Sequence, residues 1–201
     1  MAAGATGSPL YAWRFDSGRI CLDLVATSEP APGGPGTLEG SGQLARWLVG
    51  AGLLPPGTPL ADVDGRWAGR FAELRECVTA LVRAELDGRR AEAALERVNA
   101  FAAGAPPGIR AVRSADGRLV RALSSAPECS ALLAAVARDA VELLTDPAAR
   151  ARLRQCEGDN CHRVYLDTSR GRRRRWCSSE VCGNRERVAR HRRRAAAVSR
   201  A

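Results

Sequence analysis

Residues 156–185 read "CEGDNCHRVYLDTSRGRRRRWCSSEVCGNR" and hold four of the seven cysteines of the 201-residue chain. Their spacing is Cys156-x4-Cys161, fifteen residues, then Cys177-x4-Cys182. Two pairs at matched spacing, separated by a loop, can close four thiolates around one tetrahedral ion, and zinc is the metal that prefers such a set. A segment too short for its own core gains most of its folding free energy this way, roughly 10–16 kcal/mol for a structural zinc. One structural Zn2+ held by Cys156, Cys161, Cys177 and Cys182 is therefore expected. Four filled positions leave none for a reacting water, so this is a structural site and not a catalytic one. His162 and His191 could join only by displacing a cysteine and are expected to stay outside the ligand set.

Charge gathers around the same stretch. All 31 basic residues are arginine. With the alanine and glycine content, this points to GC-rich coding and a bacterial source. Residues 1–149 hold 15 arginines against 17 acids, a balance of −2, while residues 150–201 hold 16 against 5, a balance of +11. A near-neutral body with one strongly basic end suits contact with a polyanion. The competing reading is a solvated tail that serves solubility alone. Past Cys177, Ser178 or Ser179 can cap a helix that Glu180 favours at its positive end. Val181, Val188 and Ala195 would pack on the finger, leaving Arg187, Arg190 and Arg194 on another face. Asn184 and Arg185 come first on that helix, and such side chains can pair with adenine and guanine. Arg172, Arg173, Arg174 and Arg175 form an arm suited to phosphates.

Upstream, the 45% hydrophobic and 26% charged composition is globular, with no apolar run near the 18 residues of a membrane span. The first residues lack a basic stretch followed by an apolar one, so no secretory signal is expected. Seven cysteines is an odd number and argues against a complete disulfide framework. A cytoplasmic, nucleoid-associated protein is expected.

Residues 1–10 should fray, residues 13–27 look like a strand or extended segment, and the Pro/Gly/Ser-rich residues 28–42 look like a mobile loop. A short helix is expected around Leu44, Trp47 and Leu48, ended by Gly52. A longer one over 65–86 carries the stripe Trp67, Phe71, Leu74, Val78, Leu81, Val82. Residues 89–103 follow, with Leu95, Val98 and Ala102 inward. Asp116-Gly117 predicts a hairpin over 109–124 through a type I′ turn. Ser125 and Glu128 form a capping-box pattern for an apolar helix over 126–145. Asp146-Pro147 should open a last short helix leading to Cys156. Cys21, Cys77 and Cys129, and Trp13, Trp47 and Trp67, are expected as core filler, Trp176 as a cover on the metal site, and Asp23 as a satisfied structural carboxylate.

The fold class is thus α+β: a mainly helical body with a small antiparallel sheet over 1–150, then a small finger over 151–201, a treble-clef-like hairpin plus helix. No Gly-rich phosphate loop, Ser/His/Asp set or carboxylate pair is present, so no enzyme is expected.

"LRQCEGDNC", "YLDTSRGRRRRWCSSEVCGNR" and "RVARHRRR" together closely resemble the CGNR zinc finger family, over about 153–194. The upstream "FDSGRICLDLVAT" (15–27) resembles the companion ABATE domain. It departs from the common pattern in having "LVA" after "LD", without an Asn. The resemblance implies a transcription regulator that binds duplex DNA through the finger. Its body would sense a stress signal or small-molecule effector, or mediate a homodimer. An RNA- or ribosome-binding zinc module and a zinc–thiolate redox switch are the alternatives.

Overall fold

The computed structural model describes residues 13–28, 38, 40–60 and 62–198, with side chains to 193. The segment expected to fray, and most of the loop at 28–42, lie outside them.

The body is helical. Its helices are α1 (Ile20–Val25), α2 (Ser41–Gly50), α3 (Gly65–Leu86), α4 (Glu92–Ala102), α5 (Cys129–Thr145) and α6 (Pro147–Arg150). Between α4 and α5 stands a hairpin of β1 (Ile109–Arg113) and β2 (Leu119–Leu123). After α6 come β3 (Leu153–Gln155) and β4 (Val164–Leu166), antiparallel, then a π-turn over Ser179–Gly183 and α7 (Asn184–Val198).

α3 begins and ends where the sequence reading puts it. The Asp64 carboxylate accepts from Arg66 N and Trp67 N at 2.9 and 3.1 Å, satisfying two amides that the first turn leaves free. At the other end Gly88 takes φ +63°, and Arg89 N returns to Ala84 O at 2.8 Å. Phe71, Leu74, Val78 and Val82 are buried, with Trp67 and Leu81 packed beside them. α5 is apolar on most of its circumference. Leu132, Leu133, Val136, Ala137, Ala140 and Leu143 are all inaccessible, because α1, α3 and α4 pack around it.

Five expectations change. Residues 13–27 are not one strand: 13–16 have no regular structure, the chain bends over 17–19 with Gly18 at φ +89°, and a short helix follows. The run "ICLDLV" is buried on nearly all sides, and a short apolar run carries no period that separates strand from helix. On α4, Leu95 is exposed, because Val98 and Phe101 set the inward stripe and leave it at the edge. The hairpin turn is not type I′. Only Gly117 takes positive φ (+81°), and Gly117 N donates to Ser114 O at 2.9 Å, so a type I turn is followed by a left-handed glycine. The capping box does not form. α5 starts at Cys129 with Glu128 as its cap residue, because Pro127 disfavours helical Ala126. Likewise α6 ends at Arg150, and β3 leads to Cys156.

The body's core does not stop at residue 150. Leu153, Val164 and Leu166, from the hairpin that carries the first cysteine pair, lie in the same apolar cluster as α1, α3 and α5. The residues before α1 strap this hairpin down. Leu166 N donates to Ser17 O at 2.8 Å. A Cβ on Gly18 would come within 3.0 Å of Leu166 Cβ, so the close approach itself requires glycine. Arg163 is held under the strap. Its guanidinium donates to Ser17 Oγ at 3.2 Å and Arg14 O at 2.7 Å, and lies 3.3 Å from Asp16 and 3.9 Å from Asp23. Asp23 also accepts Ser17 N at 3.0 Å, so it is the satisfied structural carboxylate expected.

Candidate metal centre

Local backbone chemistry delivers the four thiols to one point. Cys156 N donates to Arg163 O at 2.9 Å and closes the β3–β4 hairpin. Its loop turns through Gly158 and a left-handed Asn160 (φ +58°), and Cys161 N bonds Gly158 O at 3.1 Å. Gly158 cradles the centre: a Cβ there would lie 3.2 Å from Cys182 Cβ and 3.5 Å from Cys156 Sγ. Glu157 N donates to Arg175 O at 2.9 Å, which lays the arginine arm alongside and brings Cys177 in. Ser178 Oγ then accepts Glu180 N and Val181 N, both at 3.2 Å. The wide π-turn it opens returns Cys182 to Cys177, with sulfurs 3.6 Å apart.

All four sulfurs lie within 4.8 Å of one another. A tetrahedral zinc with Zn–S near 2.3 Å has ligand edges of about 3.8 Å, and Cys161 Sγ is 3.8 Å from Cys177 Sγ. A disulfide would require about 2 Å. The donor set and its size therefore fit one structural Zn2+. The electrostatics of the cluster point the same way. Hydrogen bonds from Cys161 and Cys177 hold Cys156 well below the usual thiol range, while sharing those protons pushes Cys177 well above it. Such a cluster suits a dication, which would stabilise all four as thiolates. Among the described residues neither histidine is part of the cluster.

A layer that sequence reasoning missed supports the centre. Tyr165, fully buried, packs against Cys156, Cys177 and Cys182, and its hydroxyl donates to Arg174 O at 2.5 Å. Burial pushes that phenol up to about 12. Asp167, also fully buried, accepts Ser169 N at 2.9 Å and Arg174 N at 3.1 Å, fixing the start of the arm. The "D-x-SR" pattern carried that signal, since an Asp two residues before an amide commonly makes such a turn. Trp176 packs on the cysteines as expected.

The arginines divide into two kinds. Arg174 stacks 4.6 Å over the Tyr165 ring and donates to Trp176 O at 2.8 Å and to Cys177 O. Arg175 pairs with Glu157 at 2.6 Å. Arg187 donates to Gly183 O and Ser179 O at 3.2 and 3.0 Å, bracing the π-turn. Arg172 and Arg173, by contrast, are exposed without an ion pair among the described residues, and Arg172 holds a left-handed φ of +49°. Asn184, Arg185 and Arg190 are exposed on α7; the side chain of Arg194 lies outside the described residues. Val181 and Val188, expected to pack on the finger, are 39% and 49% exposed, because the π-turn rotates them away from the cysteines.

Cys21 is buried and Cys77 and Cys129 half-buried, with burial pushing each thiol up, Cys21 furthest. No helix among the described residues is long and apolar enough to cross a membrane. Residues 18–147 match the family model ABATE, described as "Putative stress-induced transcription regulator", and residues 152–195 match that of the CGNR zinc finger. No curated protein matches the chain.

Proposed function

From a chain that belongs to the ABATE family and carries a CGNR zinc finger, we propose a regulator that binds duplex DNA through the metal-held end and takes its signal through the helical body. The observation that carries this reading is the division of the arginines. One set is consumed in building the centre, and the other stands exposed on a rigid mount: Arg172 and Arg173 on the arm, Arg185 and Arg190 with Asn184 on α7. Charged side chains fixed by a closed metal site meet a polyanion with less entropy to lose than those on a free tail. Arg172 and Arg173 take phosphates, and Asn184 and Arg185, at the start of α7, reach the base edges. Arg174, Arg175 and Arg187 act through the fold rather than on DNA. The function is binding and not catalysis, since four thiolates leave zinc no open position.

Salt titration of duplex binding tests this. If six to ten phosphates are contacted, affinity falls roughly 10³–10⁵-fold between 50 and 200 mM salt. Arg173→Ala should reduce that dependence and Arg185→Ala should alter sequence preference. A flat salt response, or equal affinity after chelation, would overturn the proposal.

A further inference from the structure

The β1–β2 hairpin is the basic island of an otherwise acidic body. It holds Arg110, Arg113, Arg118 and Arg121 against the single acid Asp116, while the rest of residues 1–149 hold 11 arginines against 16 acids. All four arginines are exposed. Among the described residues, three of the eight exposed large apolar side chains lie here: Ile109 (64%), Leu119 (67%) and Val120 (42%). Two strands alone are marginal in water, and this pair touches the body mainly at its base, where Leu123 joins the core. The ribbon is nevertheless stiffened. Arg113 donates to Gly117 O at 2.8 Å across the turn, and Arg121 donates to Gly52 O just past α2. Bonds to carbonyls order an arginine without cancelling its charge, and the pair of Arg118 with Asp116 at 3.3 Å is exposed on both sides, so a phosphate can compete for it.

A continuous line of contacts runs from this ribbon to the finger. Gly52 follows Gly50, where a Cβ would meet the Phe15 ring at 2.6 Å. The next residue, Asp16, lines one groove with Arg173, Arg175 and Trp176 of the arm. The hairpin is thus tied through Arg121 to the end of α2, and the strap that packs on Gly50 continues into the groove beside the arm.

We propose that the β1–β2 hairpin is a second contact to duplex DNA, in which Arg110, Arg113 and Arg118 grip backbone phosphates beyond those taken by the finger. The proposal rests on the DNA reading above. Charge selects the occupant. Two hairpins face to face would oppose four arginines to four, whereas a duplex offers a phosphate every 1.7 Å of its axis. Ile109, Leu119 and Val120 suit the apolar sugar edges of a groove that such ribbons enter.

The test is the salt slope of binding to a random-sequence duplex by the full zinc-loaded chain. Replacing Arg110, Arg113 and Arg118 together by alanine should lower the slope by about 2 to 3, since each phosphate contact contributes about 0.9. Adding charge at the exposed turn, Ala115→Arg, should steepen it by about one contact, and this variant removes no packing. Unchanged slopes in both, with a reduced slope for Arg173→Ala, would overturn the hairpin contact and leave the finger reading standing. A wild-type chain that binds no duplex would overturn both. A triple variant that changes sedimentation from dimer to monomer with the slope intact would make the hairpin a contact between copies and overturn the proposal.

Discussion

Leu166 and Tyr165 are neighbours in β4 and belong to different cores. Leu166 points into the apolar cluster of α1, α3 and α5, while Tyr165 points into the cysteine cluster. Alternation along a strand makes this unavoidable. The body coheres by burying more than two dozen mostly aliphatic side chains. The second cluster has four buried members, and three are cysteines. Area alone cannot hold the latter, so the metal must. β4 is a wall shared by both. The finger is thus two things: a hairpin that folds with the body, and an arm plus helix that fold with the ion.

The strongest way to break this comparison is to remove the ion. Chelation or Cys177→Ser should forfeit roughly 10–16 kcal/mol of apparent structural zinc binding. Amide exchange should then rise across the arm, the π-turn and α7, while α3 and α5 keep their protection. Loss of protection in α5 would mean that the two cores are one. The next largest effect probes the wall from the other side. Leu166→Ala should destabilise the body by about 2–5 kcal/mol while the folded chain still binds one zinc; an unchanged denaturation midpoint would place β4 outside the body's core.

The strap adds a pH signature. Burial raises Asp23 to about 6, although the Ser17 amide, its hydroxyl and Arg163 pull the other way. Unfolded, the same carboxyl titrates near 3.9. Between these values the native state holds a proton that the unfolded state has released. The contribution of Asp23 to stability is therefore fully present below about pH 4 and is lost as pH rises through 6, by up to about 3 kcal/mol. Denaturant titrations of wild type and Asp23→Asn across that window should show the slope in the difference between them; parallel curves would remove Asp23 as its source. Gly18→Ala should cost about 1–2 kcal/mol for the left-handed backbone, and more if Leu166 cannot yield. Smallest of all, Arg175→Ala breaks an exposed pair with Glu157 and should cost about 0.2–1 kcal/mol, with zinc content intact; a larger loss would make the arm's docking electrostatic.

Local grammar was legible. The i, i+4 apolar stripe marked α3, whose Asp64 cap and Gly88 stop only the structure showed, and Asp116-Gly117 marked the hairpin, though not its turn type. The capping box at Ser125 failed because Pro127 disfavours a helical Ala126, so α5 begins only at Cys129. Leu95 was misjudged because helix phase depends on which neighbours crowd the far end. The exposure of Val181 and Val188 follows from a π-turn, and a period of 3.6 cannot anticipate one.

The sequence by itself determined the ligand set. Four cysteines in matched pairs fill the shell of one zinc without calling on His162 or His191, and that chemistry is written within 27 residues. The concentration of charge at one end was equally plain. Tertiary structure alone decided what each arginine does. Arg174 and Arg173 are adjacent and identical in type, yet one is bound to Tyr165 and Cys177 and the other has no ion pair among the described residues. Arg163 meets Ser17 across 146 residues of chain. A long cationic side chain reaches whatever acceptor the fold brings near, and that acceptor is rarely its neighbour in sequence.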